Sequence, residues 1–194
     1  MAEKIVLDSH GRYFAVKPLI LVTTVGLTGL PNVAPKTQNM DVGRREQYFA
    51  FVCTPRHHTY QNVKANQEFV VNYPGPELIE NVSAAAQLAE DSDEIALAGL
   101  TSIPSVVVKP PRIKECYLHL ECKLVEINDL EDVSIILGKV VARSVDKEVS
   151  FERGKSKENI KLLSKRPLLA YVHPDHYTKI SVAEEFVFPK NYKP

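Results

Sequence analysis

Residues 19–62 read LILVTTVGLTGLPNVAPKTQNMDVGRREQYFAFVCTPRHHTYQN, and the order of apolar runs, turn residues and polar side chains in this stretch decides how the rest is read. Residues 19–24 are apolar and β-branched and predict a strand. Gly26-Leu27-Thr28-Gly29 supplies two positions free to take positive φ and predicts a turn. A loop-rich return carries Asn32, Ala34, Pro35, Lys36 and Thr37, after which residues 47–53 predict a second strand. That strand empties into Thr54-Pro55-Arg56-His57-His58-Thr59. Thr59 is the expected N-cap of a helix over residues 60–66, which would turn its first N–H groups and positive dipole end outward. Hydroxyls and cations therefore gather at two strand ends, and such a corner suits a phosphate.

The bounds set by composition agree with one globular unit. The chain has 194 residues, 44% of them apolar, enough for a substantial core in a single domain, residues 1–194. Lys plus Arg and Asp plus Glu number 24 each, so no overall field favours nucleic acid or an anionic membrane, and any anion site must be local. Cys53, Cys116 and Cys122 cannot all pair and show no CxxC spacing, which predicts reduced thiols in a cytoplasmic protein. No apolar run has the length of a signal peptide core or a membrane span.

Working outward, residues 1–17 read as an approach segment whose Tyr13, Phe14 and Val16 are expected to pack on the sheet before Pro18 opens the first strand. Residues 68–73 predict a short strand stopped by Pro74-Gly75-Pro76. A helix is expected over 77–90, with Leu78, Ile79, Val82, Ala85, Ala86 and Ala89 near helical spacing and Pro76 just ahead of its first turn. Asp91-Ser92-Asp93-Glu94 reads as a solvated acidic cap on a further turn through Leu97, closed by Gly99; its spacing fits no EF-hand loop. From Ser105 the chain turns β-rich: Val106-Val107-Val108, a break at Pro110-Pro111, then a strand over 113–127. There Cys116, Leu118, Leu120, Cys122 and Leu124 share one face, which makes the two cysteines core thiols, and Tyr117, His119, Glu121 and Lys123 share the other. Asn128-Asp129 predicts a turn, 133–145 the partner strand with a bulge or kink at Gly138, 146–158 a charged surface segment, 159–163 a helical turn, and 168–172 a last strand.

The segments PLILVTT (18–24), GLPNVAPKT (29–37), TPRHHTYQN (54–62), EFVVNYP (68–74) and AGLTSIPSVVVKPPRIKECYLHLECKL (98–124) stand in an order that resembles the flavin reductase-like, FMN-binding split-barrel family, which includes flavin reductases and flavoredoxin-type carriers. The resemblance implies a mainly β, antiparallel Greek-key split β-barrel with peripheral helices, and FMN as cofactor. It places the flavin at Asn32, Ala34, Pro35, Lys36, Thr37, Val52, Cys53, Thr54, Arg56, His57, Thr59 and Asn62. Lys36, Thr37, Arg56 and Thr59 are the phosphate donors, Asn32 a ring-edge partner, and Ala34-Pro35 a small, flat approach. Taken singly, Arg56 and Thr59 read first as a surface cation and a helix cap, and only the ordered resemblance reverses that.

His173 in the HPDHY segment stands where family members carry a histidine near the ring, although the family's glycine there is not matched. It is the candidate for ring contact or proton supply, and His176 is a weaker one. His57-His58, His173 and His176 show no spacing with a third ligand that a metal site requires. No GxGxxG or GxxxxGK[ST] occurs, so a nicotinamide would have to stack directly over the flavin. The expected activity is an FMN-dependent oxidoreductase that passes hydride from NADH or NADPH to FMN and electrons onward. The alternative is a flavoredoxin-type carrier loaded by a redox partner protein, and a third class is a flavin-binding module without turnover. Family members are commonly homodimers, which implies one here.

Overall fold

The computed structural model describes residues 4–6, 13–43, 47–87, 92–150 and 159–185. Twelve strands are present among them: β1 Ala15–Pro18, β2 Ile20–Val25, β3 Pro31–Lys36, β4 Asn39–Val42, β5 Tyr48–Cys53, β6 Glu68–Tyr73, β7 Ser102–Ile103, β8 Arg112–Ile113, β9 Leu118–Asp129, β10 Ser134–Val145, β11 Leu168–His173 and β12 His176–Ile180. The helices are α1 His58–Asn66, α2 Ile79–Ala84, α3 Glu94–Leu97 and α4 Leu162–Lys165.

Seven strands form one antiparallel sheet in the order β3-β2-β6-β9-β10-β5-β4. Its two edge strands, β3 and β4, are joined only by Thr37 and Gln38. A flat sheet of seven strands is roughly 29 Å wide at about 4.8 Å per strand. Three peptide units span at most about 11 Å. The short link therefore requires the sheet to curl until its edges approach, which produces a half-barrel that stays split because β3 and β4 do not pair. A backbone bond from Val52 N–H to Gln38 O (2.9 Å) sits at this seam.

β2 is buried on both faces, which explains an unbroken apolar run where alternation would mark a half-exposed strand. Ile20 and Val22 enter the concave interior with Phe49, Phe51, Phe69 and Ile136; Leu21 and Leu19 enter a second cluster with Leu78, Val82, Ile95 and Ile113. Helix α1 contributes Tyr60 and Val63 to the interior and closes it, whereas α2, α3 and Leu169 of β11 cover the outer face. β1, β11 and β12 form a separate three-stranded sheet. Among the described residues no helix is long and apolar enough to cross a membrane.

Several expectations are corrected. The return at 31–36 is a strand, paired along its length with β2 from Ile20↔Lys36 to Val25↔Pro31. Val106-Val107-Val108 is not a strand, because its three N–H groups go to the Glu121 carboxylate at 2.8, 2.6 and 3.2 Å and leave none for a ladder. This loop covers the face of β9 expected to be polar, so Glu121 and His119 are buried. The long strand starts at Leu118, not 113, and continues through Asp129.

The helix at 77–90 opens as a 3₁₀ turn at Pro76–Leu78 and is α-helical only to Ala84; its expected end, with Ala89, lies outside the described residues, as do Asp91 and the charged segment 151–158. The helical turn expected at 159–163 lies further along the chain, as α4 at Leu162–Lys165, and a strand beyond 172, β12, was not foreseen. Residues 15–18 are already a strand, paired with β11, while Tyr13, Phe14 and Val16 are exposed and not packed on the barrel. The kink at Gly138 is present as a register shift between Leu137 and Gly138, and Cys116 and Cys122 are buried with thiol pKa values pushed up by burial.

Candidate functional site

The seam between β3 and β5 opens into a groove. One part, about 220 Å³, has Asn32, Ala34, Pro35 and Lys36 on one wall and His57, His58 and Thr59 on the other; the next, about 230 Å³, runs from Pro35, Lys36 and Thr37 to Val52, Cys53 and Thr54. Pro35, Lys36 and His57 border both, so the two are continuous. Strand geometry accounts for the convergence: β3 and β5 reach the seam with their ends adjacent, and the Thr54–His57 turn, closed by His57 N–H to Thr54 O (3.0 Å), starts α1 there.

Ten of the residues singled out from sequence thus line one groove. Asn62 lines a neighbouring cavity of about 380 Å³ beside the β2–β3 turn. Arg56 is exposed at the rim and lines neither part. His173 lies on the separate three-stranded sheet, where its ring meets Tyr13 edge-on at 6.0 Å and Tyr171 at 6.3 Å. Its partners are those rings and not groove residues. His176 borders the Pro174–Asp175 turn and contacts the Pro174 carbonyl.

The groove is locally cationic. His57 has its pKa lowered, first by desolvation and then by the charges of Lys36, Arg56 and His58. Cys53 is buried, and desolvation raises its thiol pKa against the opposing influence of Lys36, so it lines the groove as an unreactive neutral thiol.

Thr59 does not cap α1. The N-cap is His57, with no side-chain capping bond, and Thr59 Oγ1 instead donates to Asn32 Oδ1 at 3.2 Å. Asn32 Oδ1 also accepts from Thr24 Oγ1 (3.1 Å), whose oxygen accepts from Asn62 Nδ2 (3.0 Å). Asn32 Nδ2 donates to Glu94 Oε2 at 2.5 Å. The Asn32 oxygen is therefore fully engaged, and one N–H remains for a ligand.

Glu94 is the residue the sequence reading missed. Asp93 does cap α3, accepting from Ala96 N–H at 3.0 Å, but Glu94 is only 5% exposed and faces Asn32, Val33 N–H (3.4 Å) and His58 Nδ1 (3.2 Å). Nothing in the run Asp91–Glu94 distinguishes its last member; its neighbour Ile95, fully buried, was the available hint that this turn is pressed against the sheet. Among the described residues no three His, Cys, Asp or Glu side chains gather as metal ligands.

Residues 13–181 match the family model described as the flavin reductase like domain. An uncharacterised protein of Methanothermobacter thermautotrophicus is 34% identical over 137 residues, which cover 68% of this chain and 65% of that protein's length. Among solved structures, nitrilotriacetate monooxygenase component B from Bacillus cereus is similar with a TM-score of 0.80 at 21% identity, covering 97% of this chain and 100% of that one. Flavoredoxin from Methanosarcina acetivorans is similar at 0.77 and 20% identity, covering 98% and 96%. At such identities the structures show a common split-barrel fold.

Proposed function

The chain belongs to the flavin reductase-like family, and from that membership we propose that the groove binds FMN and that the protein is an oxidoreductase taking hydride from NADH or NADPH. The observation that carries this reading is the continuous groove in which an apolar wall, Ala34, Pro35 and Val52, adjoins the donors Lys36, Thr37, Thr54 and His57. The donor set fits the group: a flat ring needs a narrow apolar wall with few polar partners, and a phosphate dianion needs cations and free N–H groups, which the α1 N-terminus adds.

Lys36 and the Thr54–His57 turn would hold the phosphate, with Arg56 reaching in from the rim. The remaining Asn32 N–H would meet the ring edge, and Ala34-Pro35 would support its face. Bound FMN would supply a two-electron centre that accepts hydride and passes electrons onward. The protein's part is orientation and charge.

Flavoredoxin-type transfer without direct nicotinamide use is the second reading, favoured by the likeness to flavoredoxin. One experiment separates them. FMN is titrated into the protein, and the complex is mixed anaerobically with NADH or NADPH. Rapid bleaching of the flavin band supports the reductase, and bleaching only by a reduced protein donor supports the carrier. Absence of FMN binding refutes both.

A further inference from the structure

We propose that His58 and Glu94 form a proton-exchanging pair in the wall of the groove, in which Glu94 holds the imidazole as its Nδ1–H tautomer and leaves Nε2 facing bound ligand. The inference rests on the redox reading of the groove but is made from residues that reading does not use. Glu94 Oε2 receives two N–H donors, from Asn32 Nδ2 at 2.5 Å and Val33 N at 3.4 Å. An oxygen so placed is an acceptor, and the direction of the neighbouring bonds agrees: Asn62 donates to Thr24, Thr24 and Thr59 donate to Asn32, and Asn32 donates to Glu94. Turning the Asn32 amide over would set its oxygen against the carboxylate, so the network admits one orientation.

With Glu94 ionised, the second carboxylate oxygen, Oε1, 3.2 Å from His58 Nδ1, offers only lone pairs, and the proton of this hydrogen bond is then carried by Nδ1. The two groups differ in access as such a pair requires: the side chain of Glu94 is 6% exposed and that of His58 35%. His58 borders both the groove and the adjoining cavity, so its outer nitrogen is open to whatever occupies them.

The charged and titratable groups around His58 are Glu94 on α3, Lys36 on β3, and His57 and Arg56 on the turn leading into α1. In the step itself Nε2 takes a proton from a solvent hydronium ion, whose O–H bond breaks to leave water, while Nδ1–H stays hydrogen-bonded to Glu94 Oε1. When that proton passes to a ligand oxygen or nitrogen, the Nε2–H bond breaks, the ligand–H bond forms and the imidazole returns neutral. The protein neither gains nor loses electrons; the electron pair comes from the nicotinamide or protein donor.

The test has two arms. Long-range ¹H–¹⁵N NMR of the ligand-free protein, with His58→Gln to assign the signals, should show neutral His58 protonated on Nδ1. In Glu94→Gln the amide oxygen stays with Asn32 and Val33, so its NH₂ must donate to Nδ1, and the tautomer should invert to Nε2–H. A wild-type Nε2–H tautomer, or one indifferent to Glu94→Gln, overturns the pair. In the flavin-loaded protein, His58→Gln should remove one ionisation from the pH profile of electron transfer and slow it on the order of 100-fold at the optimum. An unchanged profile with flavin still bound overturns the proposal and leaves the FMN reading standing. Failure of the wild-type protein to bind FMN refutes that reading and leaves the NMR result intact.

Discussion

Arg56 leaves the turn between β5 and α1 pointing to solvent, and its charge is felt by His57. An exposed guanidinium at the rim of a phosphate site contributes at the low end for a bond to a charged group, about 1.5 kcal/mol. Arg56→Ala should therefore weaken FMN roughly tenfold and leave riboflavin, which has no phosphate, unchanged. Lys36→Ala, which removes the cation bordering both halves of the groove, should cost more. Titrations at fixed ionic strength check this, and equal losses for both ligands would assign Arg56 to the fold instead.

His119 carries a pH dependence unconnected with the groove. Desolvation lowers its pKa, although the bond to Ile113 O (2.8 Å) opposes the shift. Since the folded value lies below the unfolded 6.5, the stabilisation is complete above 6.5. It is lost as pH falls and the unfolded chain takes up the proton first. The unfolding free energy, followed through the melting temperature, should drop between pH 7.5 and 5, by no more than about 1.4 kcal/mol per pH unit from this group. His119→Gln should flatten the slope; parallel slopes would remove His119 as its source.

At the scale of the element, β10 depends on Gly138 for close approach and not for an unusual φ. A Cβ there would lie 2.4 Å from Phe69 Cζ and 3.1 Å from Cys122 Cβ. Phe69 is fully buried and held edge-on by Phe51 at 5.2 Å, so it cannot turn away. Gly138→Ala should destabilise by about 1–3 kcal/mol through overpacking, seen as a lower urea midpoint, and Phe69→Leu in the same chain should restore part of the loss. Recovery of none of it would place the strain in the backbone. The bulge was legible because a glycine interrupts an apolar strand, whereas the partner that requires it lies on β6, 69 positions earlier.

For the whole molecule we expect a homodimer. Tyr13, Phe14, Val16 and Met40 are exposed near β1 and β4, and covering apolar side chains and strand edges is a common reason for self-association. Light scattering at micromolar concentration should return twice the mass of one chain. A single-chain mass with FMN bound would refute it.

The sequence by itself determined the strands whose residues repeat a local pattern. β2, β5, β6 and β10 fall within a residue or two of their expected bounds, because burial on a sheet imposes composition that can be read along the chain. The ordered motifs likewise located Lys36, Cys53 and His57, which meet at the seam. Tertiary structure alone decided which acidic residue is buried. Asp93 and Glu94 are adjacent and chemically alike, yet one caps a helix in solvent and the other anchors Asn32 from 62 positions away. It also made β3 a strand and denied Val106–Val108 that state. Backbone donors go to whichever acceptor the folded chain brings within reach, and for those valines it was the Glu121 carboxylate.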